Sequence, residues 1–177
     1  ALALLAKYPE MRKKILGGTC TYDDEPVEVV AFNGRESDAP YGIWGEIADQ
    51  LGKKDVFKDY YSPLQAPGQS AWTNLLKKKR LLILLDELPP YFENARSRTI
   101  GNSDLSVVSG TALSNLLVAV SKEELSQVCI VISDLKATYE GGSQAINDAL
   151  KNFENEATGL RYGLNRWAST RMRYIRS

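Results

Sequence analysis

Leu81-Leu82-Ile83-Leu84-Leu85-Asp86-Glu87 is an unbroken apolar run that ends in two adjacent carboxylates. Five apolar residues in a row, preceded by the basic cluster Lys77 to Arg80 and followed by Pro89-Pro90, suit a strand buried on both faces of a parallel sheet. Open α/β sheets bind their ligands beyond the C-terminal ends of the strands, which is where this acidic pair would stand. Hydrolysis of a nucleoside triphosphate needs two oxygen-bearing groups at such a place, one to hold a hydrated magnesium ion and one to orient water. The run therefore reads as a Walker B segment. The competing reading is a buried strand whose two acids only cap the next helix or meet solvent.

Outward from this strand, helical and strand periods alternate. Upstream, Val27 to Phe32 is rich in β-branched and aromatic residues and stops at Asn33-Gly34, as a strand entering a turn does. Ile43, Trp44, Ile47 and Leu51 mark an amphipathic helix, with Ser37 or Asp38 as its cap, Pro40 near its first turn and Gly52 past its end. A short helix over residues 55–61, a loop over residues 62–68 and a helix capped by Ser70 lead to the Leu81 strand. Tyr41, Trp44 and Trp72 read as packing anchors. Before all of these, Leu4, Tyr8, Met11 and Ile15 follow helical spacing that Pro9 interrupts and Gly17-Gly18 ends.

Downstream, residues 93–104 are polar and without period, which predicts a mobile surface loop. Leu113, Leu116, Leu117 and Val120 give the next helix its buried face, and Ser121 with Glu124 spells a capping box. A third apolar strand, Val128 to Ile132, runs into Ser133-Asp134, 47 residues after Asp86. If neighbouring parallel strands end at one edge, a hydroxyl or carboxylate there reaches the water or terminal phosphate beside Glu87, as a sensor residue does. A turn or cap role is the commoner one for such a residue. Ser143 then opens a helix carrying Ile146, Leu150 and Phe153. Alternating strands and helices predict an α/β fold, a three-layer parallel sheet with flanking helices.

Composition bounds the chemistry. A chain of 177 residues with 44% hydrophobic and 25% charged residues fits one globular domain. The balance of 22 basic against 22 acidic residues by itself points to neither nucleic acid nor membrane. No apolar run approaches the roughly 20 residues of a spanning helix, so a cytoplasmic location and no membrane partner are expected. Cys20 and Cys129 make no metal spacing and are expected as thiols. The chain has no histidine, which excludes Ser-His-Asp and Cys-His catalysis and histidine-ligated metals. Carboxylate and magnesium chemistry, or none, is what remains.

With these segments placed, Leu81 to Tyr91, Val128 to Glu140, and Trp44-Gly45-Glu46-Ile47-Ala48 before Gln50-Leu51-Gly52 together resemble a group of prokaryotic predicted AAA+ ATPases, encoded beside DNA methyltransferases in anti-phage loci. The resemblance covers residues 1–158. It implies a partial AAA+ (P-loop) core lacking its first strand, with ATP and magnesium as cofactors. It makes Asp86 the acid that holds magnesium through water, Glu87 the catalytic base that also helps bind nucleotide, and Ser133 or Asp134 the sensor. As partners it implies DNA or a DNA-modifying complex and, in the intact parent, further copies of itself. The sequence departs from the pattern in one essential respect: G-x-x-x-x-G-K-[ST] occurs nowhere in it. Ala1 to Leu16 resembles the helix after that loop, so the chain is expected to be a fragment that is inactive alone. The edge beside the Ser133 strand is expected to be open. The alternative from another class is a non-catalytic α/β interaction module in which Asp86 and Glu87 are structural.

Residues 159–177 form a basic tail with Arg161, Arg166, Arg171, Arg173 and Arg176. Contact with nucleic-acid phosphates is one reading of it and a solvated or disordered run the commoner one; no DNA-binding role is assigned to its arginines. A frameshift is the third reading, because the codons of Trp167 to Tyr174, read one nucleotide earlier, permit Gly-Leu-Asn-Thr-Asp-Glu-Ile-Tyr. That string is similar to the family's continuation, and the coding DNA decides it.

Overall fold

Hydrogen-bonded register turns the three apolar stretches into neighbours. The computed structural model describes residues 8, 10, 27–36, 38–134, 144, 146–151 and 172–176, with 134 and 172–176 as backbone alone. Strand β1 (Glu28–Asn33) leads through α1 (Gly42–Gln50), a 3₁₀ turn (Lys54–Tyr60) and α2 (Gln69–Leu76) to β2 (Leu81–Asp86). Next come α3 (Leu88–Ala95), a hairpin of β3 (Thr99–Ile100) and β4 (Ser103–Asp104), α4 (Leu105–Ser121) and β5 (Val128–Asp134). The last described strand is β6 (Met172–Arg176). The main sheet has the order β1-β2-β5-β6, and every pairing in it is parallel. This is an α/β fold with a parallel sheet flanked by helices. The β5 edge expected to be open is paired along residues 130–134 by β6, within the basic tail.

Burial along the strands alternates. Leu81, Ile83 and Leu85 of β2, Val128, Ile130 and Ile132 of β5, and Val30 and Phe32 of β1 are at most 2% exposed. Leu82, Leu84, Cys129 and Val131, on the other face, keep intermediate exposure. The expectation of a β2 strand fully buried on both faces is thus corrected. The fully buried residues of the strands share one apolar core with the helices.

The centre of that helical layer is α4, whose buried residues include Leu105, Ser109, Ala112, Leu113, Leu116 and Leu117. A helix apolar around so much of its circumference must be covered on several sides, and α1, α2 and α3 all pack against it. Trp72 of α2 is buried and donates its Nε1–H to the Ala112 carbonyl at 3.0 Å, with Phe57 set edge-on at 5.1 Å. Trp44 is fully buried in α1, whereas Tyr41, expected as a packing anchor, is 44% exposed and lies against Tyr61 at 4.7 Å.

The helix starts differ from those expected. Tyr41 holds the N-cap position of α1 and Gly68 that of α2, neither with a side-chain bond, so Asp38 and Ser70 are not caps. Ser121 turns its hydroxyl back to the Val118 carbonyl at 2.7 Å, and no capping box forms with Glu124. The expected loop over residues 93–104 contains the β3–β4 hairpin, and its last residue caps α4. There the Asp104 carboxylate accepts Ser106 Oγ–H at 2.5 Å and the amides of Ser106 and Val107 at 2.8 and 3.2 Å. Those bonds, that of the Ser106 hydroxyl foremost, hold its pKa below the ordinary carboxylate value.

Free strand edges invite pairing with other chains. The outer edge of β1 is closed at its middle by the Gln50 side chain, whose Oε1 accepts the Ala31 amide at 3.0 Å while its Nε2 donates to the Ala31 carbonyl at 2.7 Å.

Tyr91 joins α3 to α4. Its hydroxyl shares a 2.8 Å bond with Ser109 Oγ, and its ring stands edge-on to Phe32 at 5.3 Å. Burial pushes its pKa up to about 12 from an ordinary 10, against the opposing pull of the Ser109 bond. Below pH 10 the phenol is protonated whether the chain is folded or not. Above it only the unfolded chain releases the proton, so stability is lost as pH rises toward 12, by about 2–3 kcal/mol for this group. Tyr91→Phe should cost about 1–2 kcal/mol at pH 7 yet flatten the loss between pH 10 and 12, as denaturant melts across that range will show.

Candidate functional site

Three parallel strands that end level bring their next residues together. Asn33 lies beside Asp86 in the β1–β2 register, and Leu85 beside Ile132 in the β2–β5 register, so Ser133 follows next to Asp86. The Ser133 hydroxyl donates to Asp86 Oδ1, which also accepts the Glu87 amide at 3.0 Å. The two segments singled out in the sequence therefore meet. Asp86 Oδ2 has no partner among the described residues. Asp134 ends β5, its backbone beside Arg176.

Glu87 occupies the N-cap position of α3 but makes no side-chain cap bond. Its backbone is left-handed, with φ 50° and ψ 42°, a conformation that costs an L-residue with a side chain roughly 1–2 kcal/mol. The Pro89-Pro90 pair explains why the helix starts so abruptly, because proline suits the first turn, where amides have no partner within the helix. The Glu87 carboxylate turns away from its own helix and accepts Arg35 Nε–H at 2.7 Å. The Glu87 side chain is 19% exposed and that of Arg35 48%.

Sequence reasoning missed the residues that hold Glu87 in place. The turn after β1 carries Arg35, whose amide is bound by Asn33 Oδ1 at 2.9 Å. Gly34 donates its amide to the Asp86 carbonyl at 2.9 Å and lies so close that a Cβ there would stand 2.1 Å from the Glu87 carbonyl oxygen and 2.9 Å from Tyr91 Cβ. Asn33-Gly34 was readable as a turn. Its contact with residues more than 50 positions away was not, because only strand register creates it.

Chemically, the edge offers one carboxylate with a free oxygen, a second carboxylate held by a cation at the surface, and a hydroxyl. That set suits a water-mediated divalent cation better than direct ligation, and among the described residues no group of three or more His, Cys, Asp or Glu side chains is arranged to hold a metal. A separate cleft of about 250 Å³, lined by Asp38, Tyr91, Asn94 and Arg98 among others, includes none of Asp86, Glu87 and Ser133.

Comparison with known proteins places the chain. A family model described as the DUF499 N-terminal domain matches residues 15–166. The match spans most of the chain, which therefore belongs to that family; β6 lies beyond the matched residues. No curated protein and no solved structure matches it. Among the described residues no helix is long and apolar enough to cross a membrane.

Gly34→Ala should lower stability by about 1–3 kcal/mol through overpacking, more than an Ala at Gly68, the extended N-cap of α2, where a Cβ would meet nothing within 4 Å. Paired urea melts of the two variants test this.

Proposed function

We propose that this DUF499 domain supplies the acidic half of a magnesium-dependent ATPase site of the AAA+ type. Asp86 would hold the hydrated ion through its free oxygen, Glu87 would act as the base for water, and Ser133 or Asp134 as the sensor of the terminal phosphate. The observation that carries this reading is Glu87: it stands at a helix N-cap without capping, in a strained backbone conformation, with its carboxylate turned outward to Arg35. Strain of that kind tends to persist where function keeps a residue that the local fold would not choose.

The chain's own groups have separable parts in the reaction. Ser133 and the Glu87 amide fix the Asp86 carboxylate through one oxygen and leave the other for a water of the cation shell. Gly34 and Asn33 fix the turn that presents Arg35, and Arg35 sets the direction of the Glu87 carboxylate. Magnesium, when bound, screens the phosphate charge. The 177 residues contain no G-x-x-x-x-G-K-[ST], the loop that cradles the β and γ phosphates in such enzymes. In this reading that loop comes from polypeptide outside the sequence, and the chain alone is inactive. Hydrolysis in the intact parent would drive work on DNA or a DNA-modifying complex in a defence system, with ATP and magnesium as cofactors and other copies of the parent as neighbours.

The second reading, a non-catalytic interaction module, draws on the same contacts: Asp86 and Glu87 each have a partner within the fold, which a purely structural pair also would.

In a parent protein that carries this domain with a phosphate loop, Glu87→Gln should lower ATP turnover by roughly 10²–10⁴-fold while ATP binding holds. Unchanged turnover would favour the interaction module.

A further inference from the structure

At the end of the sheet opposite Glu87, a second group of charged residues is gathered by the fold. Helix α2 ends at Leu76. Lys77 follows with φ −55° and ψ 145° and Lys78 with φ 61°, which is the geometry of a type II turn with Lys78 at its third position. That position favours glycine. A lysine there bears a conformational cost of roughly 1–2 kcal/mol, and its side chain has no partner among the described residues. Lys53 reaches the same turn from beyond α1 and donates its ammonium to the Leu75 carbonyl at 2.9 Å.

Among the described residues Lys77 is bound by the neutral Asn74 Oδ1 alone, at 2.9 Å. Lys79 pairs with Glu28 at 2.5 Å, the one carboxylate that the described ion pairs bring to this turn. The Arg80 carbonyl accepts the Glu28 amide at the start of β1. Among the described residues the fold thus gathers four lysines about one turn, with Glu28 in an ion pair and the exposed Glu123 and Glu124 on a 3₁₀ turn (Glu123–Leu125) that touches α2, in a chain whose overall charge is zero. The length of β2, six residues, separates this turn from Asp86 by about 20 Å.

We infer that Lys53, Lys77, Lys78 and Lys79 form a docking surface for the phosphate backbone of a nucleic acid. Unlike a compact anion, a backbone presents charges along a line. It can therefore engage several flexible ammoniums at once without a pocket, by release of condensed counterions. The surface reads charge and carries no base-specific contact.

The test uses the 177-residue chain, a fluorescently labelled mixed-sequence DNA duplex and anisotropy titrations at several salt concentrations, with Lys77→Ala/Lys78→Gly beside the parent. Salt-sensitive binding is expected, with the slope of log affinity against log salt shallower by about 1.8 in the variant, for two lost phosphate contacts. Because glycine suits the Lys78 backbone, thermal melts should show Lys78→Gly no less stable than the parent, so weaker binding could not be ascribed to unfolding. Absence of binding at low salt, an unchanged slope in the variant, or equal displacement by polyglutamate of the same charge would each overturn the assignment.

Discussion

The level ending of β1, β2 and β5 is the constraint on which the rest depends. Parallel strands in fixed register cannot slide by one residue without exchanging buried for exposed side chains, and Val30, Phe32, Leu81, Ile83, Leu85, Val128, Ile130 and Ile132 all sit on the fully buried face. That apolar pattern therefore sets where the polar residues after each strand arrive. Asn33, Asp86 and Ser133 meet because the residues before them are locked. The helical layer reinforces the lock: α4 is covered by α1, α2 and α3, and Tyr91 ties α3 to it through Ser109.

Where the chain leaves this frame, two charged residues adopt backbone conformations better suited to glycine. Glu87 does so at the C-terminal end of β2 and Lys78 at the turn before its start. The third such residue among those described, Ala39, is buried and apolar, and its carbonyl accepts the Gly42 amide in the approach to α1. Local preference and observed residue disagree most where the side chain carries charge to the surface. A sequence shaped by folding alone would relieve both positions with glycine.

Much of the fold was legible because long apolar runs bounded by turn residues leave few alternatives. Leu81 to Leu85 and Val128 to Ile132 read as strands, but their adjacency entered only as a condition, and it is the β2–β5 register that brings Ser133, out of the pair Ser133-Asp134, onto Asp86. The helix caps were not legible. Ser70 and Ser121 have the right chemistry, but helix starts are set by how Trp72 and the α4 residues pack, and Gly68 already has the extended backbone that an N-cap needs. Strands two residues long, such as β3 and β4, are too short to show a period. Arg35 could not be tied to Glu87 from sequence because their contact exists only through the β1–β2 register. The left-handed backbone of Glu87 carried no signal either, since glutamate does not favour it.

The central claim is that Glu87 is retained for its carboxylate and not for the fold. Equilibrium urea unfolding of the Glu87→Gly chain tests it most directly. Relief of the left-handed backbone gains roughly 1–2 kcal/mol. The added freedom of glycine in the unfolded chain takes back about 0.5–1, and loss of the pair with Arg35, whose guanidinium side chain is half exposed, takes back about 0–1. The expected result is a stability within about 1 kcal/mol of the parent. A loss well beyond about 2 kcal/mol would show Glu87 to be a structural residue and contradict the account.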